Sequence, residues 1–111
     1  MTEAFVWFHN SSKKPADSAK FYESLLGWKR AEGPAGMTMF AGDKGPFAAV
    51  GANEGASGWI PYAQVDDVDA ATRKAERLGA TVLKAKTRGP AGDFSIIRDP
   101  GGAAVALWQK A

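Results

Sequence analysis

The chain has 111 residues, with 14 basic against 12 acidic side chains and no cysteine, a length that supports one compact domain burying about two-thirds of its unfolded surface. The missing thiols exclude a disulfide framework, a thiolate metal site and a cysteine nucleophile, while leaving the compartment open, because secreted proteins can also lack cysteine. The basic residues fall in small dispersed groups at Lys13-Lys14, Lys29-Arg30, Arg73-Lys74-Arg77 and Lys84-Lys86-Arg88, which read as solvated surface rather than as the continuous basic face that nucleic acid requires.

Residues 4–10 are rich in aromatic and β-branched types and predict a first strand covered on both faces. The start of the chain shows no basic region followed by an apolar run, and no stretch approaches transmembrane length, so a cytoplasmic protein with no membrane partner is expected. Pro15 suits a first helical position and Asp17 its first turn. Ala19, Tyr22 and Leu26, flanked by Phe21 and Leu25, give that helix an apolar face, and Gly27 ends it. Three short extended segments follow, Trp28 to Glu32, Met37 to Ala41 and Phe47 to Ala52, parted by Gly and Pro turns. A small-residue connector, Asn53 to Gly58, marks the boundary between a module of about 1–55 and one of about 56–111.

Gly58 to Val65 predicts the next strand, with Pro61 pointing to an unpaired or bulged edge. Asp66 and Asp67 cap a second helix whose stripe is Val68, Ala71, Ala75 and Leu78 and whose stop is Gly79. Thr81 to Ala85, Phe94 to Arg98 and Ala103 to Gln109 are three more strands, the last two joined through Asp99-Pro100-Gly101-Gly102. A shift of 52 residues, the separation of Gly27 and Gly79, also places Leu26 on Leu78, Ala19 on Ala71, Asp17 on Asp69 and Trp7 on Trp59. Such self-similarity indicates two copies of one strand, helix, three-strand unit.

Phe21-Tyr22-Glu23-Ser24-Leu25-Leu26-Gly27-Trp28, Val65-Asp66-Asp67-Val68-Asp69-Ala70-Ala71 running to Leu78-Gly79-Ala80, and Asp99-Pro100-Gly101-Gly102 stand in this order on that repeat. Together they resemble the vicinal oxygen chelate superfamily, which includes glyoxalase I, bleomycin-resistance proteins and extradiol dioxygenases. The resemblance covers nearly the whole chain. It implies an α+β fold of two βαβββ modules forming a cup-shaped mixed sheet, with the helices on the convex side, in a single domain over residues 1–111. It also implies a homodimer.

Metal-dependent members carry their ligands on the cup-facing side of the first and last strands of each module. Those positions fall here at Trp7, at Ala49 or Val50, at Ile60 and at Ala106, none of which supplies a metal donor. The family's usual glutamate stands seven residues after the turn aspartate, and the seventh residue after Asp99 is Ala106. His9 is the sole histidine, and Glu54 in the connector is the one carboxylate placed to help it. No metal and no other cofactor is therefore expected.

An enzyme without metal or thiol needs acid–base groups, and His9, whose unperturbed pKa lies near neutrality, leads the candidates; a lone histidine on an aromatic-rich strand is more often a hydrogen-bonded wall residue than a base. Four tryptophans imply a heavy core or an aromatic-lined pocket. Phe5, Trp7, His9, Ile60, Tyr62, Gln64, Ala106 and Trp108 share the face expected to line the cup, where small alanines beside aromatics would leave room. Val6, Phe8, Val105 and Leu107 point at the helices. The faces of Met37, Met39, Phe40 and Phe94 are not decided by the sequence. The leading expectation is a metal-free protein binding a small aromatic or amphipathic molecule. The alternatives are a lyase-, isomerase- or dioxygenase-like enzyme using His9 or partner-chain ligands, and an antibiotic-sequestering protein.

Overall fold

The computed structural model describes residues 5–52 and 55–111. The elements run β1 (Phe5–Ser12), α1 (Pro15–Leu26), β2 (Lys29–Ala31), β3 (Thr38–Gly42), β4 (Gly45–Ala52), β5 (Gly58–Gln64), α2 (Val68–Arg77), β6 (Thr81–Gly89), β7 (Gly92–Arg98) and β8 (Ala104–Lys110). The chain is thus α+β, built as βαβββ twice. It divides into two compact units, Trp7–Trp59 and, with Phe5 and Val6, Ile60–Ala111.

In the first unit the strand order is β2-β3-β4-β1. Strands β2, β3 and β4 pair antiparallel, and β4 pairs parallel with β1 from Phe8↔Ala48 to Ser12↔Ala52. Helix α1 opens on Pro15, whose missing N–H is one the first turn leaves unpaired anyway. It closes on Gly27 at φ 70°, whose N–H donates to the Glu23 carbonyl at 3.0 Å, a left-handed position that glycine occupies without a Cβ penalty.

Ala19, Phe40 and Val50 are fully buried between helix and strands, with Tyr22, Trp28 and Phe47 packed around them. Trp28 stacks on Tyr22 at 5.3 Å and meets Phe40 and Phe47 edge-on at 5.4 and 4.9 Å. The Trp59 indole N–H donates to the Tyr22 hydroxyl at 2.9 Å, satisfying the polar tips of both rings. Leu26, expected on the inward face, is instead 52% exposed, as are Phe21 at 56% and Leu25 at 63%. The Ser12 and Ser18 hydroxyls lie 2.6 Å apart, so the even-numbered residues of β1 face α1 and the odd-numbered ones face away.

The second unit repeats the order as β5-β8-β7-β6. β5 and β8 are parallel from Tyr62↔Ala106 to Gln64↔Trp108, and β8, β7 and β6 are antiparallel. Pro61 precedes the first of these β5 pairs, so its missing N–H costs that ladder nothing. Two side chains hold the start of α2. The Asp67 carboxylate accepts from the Ala70 N–H at 3.1 Å, and Gln109 Oε1 accepts from the Val68 N–H at 2.9 Å, together filling two of the donors a helix start leaves open. Thr72 Oγ1 donates to the Val68 carbonyl at 2.6 Å and lies 2.8 Å from the buried Ser95 hydroxyl on β7. Val68 is buried, whereas Leu78, expected in the same stripe, is 69% exposed. The β7–β8 turn is held by Asp99, whose Oδ1 accepts from the Gly101 and Ala103 N–H groups at 2.8 and 3.1 Å.

Arg30 on β2 forks onto Glu23 of α1 with contacts of 2.7 and 2.8 Å, and this hydrogen bonding holds the Glu23 carboxyl below its ordinary range. A depressed carboxylate contributes stability above its unfolded pKa and loses it as pH falls through the folded one. Glu23→Gln should therefore melt below the wild type at pH 7. The gap should narrow as pH falls below the ordinary glutamate range, and it should shrink with added salt, as read by thermal denaturation.

Candidate functional site

Gln109 and Ser95 touch α2, so their neighbours Trp108, Phe94 and Ile96 point to the other side of the sheet, together with the residues level with them. Two rows cross that face. One runs Ile96, Ala106, Tyr62 and the other Phe94, Trp108, Gln64. The Tyr62 and Phe94 rings meet at 5.8 Å, although β8 lies between their strands. They can do so because the intervening residue is Ala106, whose methyl leaves space above β8 for both rings. Ala106 and Ile60 are fully buried, while Tyr62, Phe94 and Trp108 are half-buried and Gln64 is exposed. The room expected beside Ala106 is thus occupied by aromatic carbon.

In the first unit, His9 is level with Ala49, and Ser11 with Gly51, on the face turned from α1. His9 is 4% exposed, and its ring lies against Gly51, where a Cβ would stand 3.0 Å from Cε1 and 3.3 Å from Nε2. Trp7 is half-buried on the same side and Phe5 is 52% exposed.

The parallel pairing therefore sets His9 level with Ala49, two residues beyond Trp7, and Tyr62 level with Ala106, two residues beyond Ile60. One imidazole and one phenol at those places, with alanines beside them, do not match the several carboxylate or imidazole donors a metal centre takes. Among the described residues no three of His, Asp and Glu gather as such a centre would need; Glu54 lies outside them.

Phe94 is the member of the aromatic face that the sequence left undecided. Its register with Trp108 settles the matter, whereas Phe40, equally undecided, belongs to the core under α1. A separate shallow cleft of about 350 Å³ opens at the β6–β7 turn, lined by residues including Arg88, Asp93 and Lys110. Its one acidic side chain, Asp93, already stands 3.8 Å from both Arg88 and Lys86.

Residues 7–108 match the model of the glyoxalase-like domain. The chain belongs to this family. With it, the chain joins the vicinal oxygen chelate superfamily that its motifs resemble. This glyoxalase-like chain is 37% identical over 115 residues to "Putative glyoxylase CFP32" of Mycobacterium tuberculosis, covering 93% of the chain and 44% of the relative. It is 32% identical over 127 residues to the anthracycline biosynthesis protein DnrV of Streptomyces peucetius, covering 95% and 46%. The chain thus spans less than half the length of the curated relatives it matches. Among solved structures, methylmalonyl-CoA epimerase of Streptomyces coelicolor superposes with TM-score 0.66 at 14% identity, over 100% of this chain and 99% of that one. A structure described as NAD-dependent benzaldehyde dehydrogenase from Legionella pneumophila gives 0.63 at 21%, over 95% and 98%. At such identities the likeness shows the fold alone.

The placement of Trp108 in this glyoxalase-like domain depends on Gly92, which sits at φ 151°. A Cβ there would collide with the Gln109 carbonyl and stand 2.9 Å from Trp108 Nε1. Gly92→Ala should cost about 1–3 kcal/mol in urea denaturation and shift the indole emission, because the ring and the β8 backbone must both give way.

Proposed function

We propose that this glyoxalase-like domain binds a small planar aromatic or amphipathic molecule on the face carrying Tyr62, Phe94 and Trp108, without a metal ion. The observation that carries the reading is the meeting of Tyr62 and Phe94 over Ala106. It makes a broad aromatic floor where a metal-dependent relative would place a carboxylate. Stacking and apolar burial on such a floor favour flat unsaturated ligands. The name of the Streptomyces peucetius relative, an anthracycline biosynthesis protein, points to fused-ring aromatic chemistry and supports the same class. The positions on this face of β5, β7 and β8 hold no Asp or Glu, which disfavours the cationic antibiotics that a sequestering protein of the bleomycin-resistance kind would take.

Calorimetric titration with fused-ring aromatics tests the proposal. The protein stripped with chelator should bind with the same affinity as untreated protein, and Trp108→Ala should weaken binding about tenfold. Binding that requires a stoichiometric divalent metal, or that survives Trp108→Ala unchanged, would overturn it.

An enzymatic reading rests on His9, the sole histidine of the chain, held buried on the face turned from α1. If screening finds a substrate that is turned over, His9→Gln should abolish turnover while changing ligand affinity less than about twofold. Full turnover in that variant would remove His9 from the chemistry.

A further inference from the structure

Tryptophan carries one polar side-chain group, the indole N–H, which donates and cannot accept and which usually finds a partner when the ring is buried. Trp59 follows that rule, donating to the Tyr22 hydroxyl at 2.9 Å. Trp108 does not. Among the described residues its indole N–H meets no acceptor, and Nε1 is not sealed from solvent as an orphaned buried atom would be. The ring is nevertheless half-buried on the side of the sheet turned from α2, level with Phe94. The donor therefore stands open at the margin of the aromatic face.

Two glycines keep it so. Gly89 and Gly92 pair across the β6–β7 hairpin. Trp108 Nε1 lies beside Gly92, where a Cβ would stand 2.9 Å from it, and a Cβ on Gly89 would stand 3.4 Å from two carbons of the Phe94 ring. Because both positions are glycine, neither sends a side chain against the rings. The same two glycines line the cleft at the β6–β7 turn, so open space and the indole N–H border the same residue.

We propose that the ligand of the aromatic face is a planar molecule bearing a ring carbonyl, as in a quinone, with its rings on Tyr62 and Phe94 and its carbonyl oxygen accepting from Trp108 Nε1. This names the ligand class within the aromatic-ligand reading above and rests on it. Stacking area alone treats a fused-ring hydrocarbon and its quinone alike. The indole edge separates them. A carbonyl oxygen replaces the water that the N–H loses on binding, whereas a C–H edge strips that water and leaves the donor unsatisfied.

The test uses anthraquinone-2-sulfonate and anthracene-2-sulfonate, which share a three-ring framework and a solubilising anion and differ in the ring carbonyls. Calorimetric titration of the wild type should favour the quinone by about fivefold. Trp108→Phe, checked first by circular dichroism and thermal melting, keeps an aromatic ring and removes the N–H. It should bind both compounds and hold them within about twofold of each other. A second measurement needs the wild type alone. The indole proton of Trp108, assigned through its proximity to the Gly92 α-protons, should move downfield in NMR spectra with the quinone and not with the hydrocarbon, and this decides the matter even where Trp108→Phe fails to fold. A quinone preference that survives in Trp108→Phe, an indole proton that does not move downfield, or no preference in the wild type would each overturn the assignment to Trp108 while leaving the aromatic floor standing. Failure of the wild type to bind either compound would remove the aromatic-ligand reading and this inference with it.

Discussion

Each module depends on the register between its first and last strands. These strands run parallel and side by side, His9 level with Ala49 in one module and Tyr62 level with Ala106 in the other. Because side chains alternate along a strand, a slip of one residue would exchange the entire helix-facing set for the outward set. The helix-facing set is what fixes the register. In the first module Phe40 and Val50 must meet Ala19 of α1; in the second, Ser95 and Gln109 must meet Thr72 and the start of α2. What stands on the opposite face follows from that requirement, and the candidate site inherits its geometry from the core.

The two modules use the same plan for different ends. In the first, the aromatic residues gather on the helix side, where Tyr22, Trp28, Phe40, Phe47 and Trp59 form a connected cluster. In the second they gather on the other side, as Tyr62, Phe94 and Trp108, while small polar contacts hold the helix. The internal repeat is therefore one of backbone more than of chemistry. Trp7 and Trp59 coincide when the sequence is shifted by the separation of Gly27 and Gly79, yet Trp59 bonds to Tyr22 under α1 and Trp7 lies on the odd-numbered side of β1, away from that helix. The alignment of helix ends does not carry through to the strands, where the equivalence set by pairing is His9 with Tyr62.

Polar residues settle details that hydrophobic burial leaves loose. The start of α2 draws on Asp67 from its own chain segment and on Gln109 from the far end of β8, so the helix cannot shift without breaking contact with the last strand. Lys86 ties the same helix to β6 and β7 through Asp69 and Asp93. These exposed ion pairs contribute little each, but they assign Lys86 to the helix side of β6.

Several features were legible in the sequence because they are decided within a few residues. Pro15 and Gly27 bound α1, Asp67 caps α2, Asp99 organises the last turn, and the repeat of these signals in order identifies two βαβββ units and the family. The identity of Ala106 was legible too, as a methyl where metal-dependent relatives carry a carboxylate. Its consequence was not, since whether that methyl leaves a hollow or a seat for two rings depends on residues from β5 and β7 that are distant in the chain. The same reason hid Phe94 and the exposure of Leu26 and Leu78. A period-two pattern states which residues share a face only while the pairing is regular, and the register shifts along β6 are properties of two strands together. Local chemistry determined the elements and their order; only the pairing between strands decided which side chains meet, because register is an agreement between segments that neither segment encodes alone.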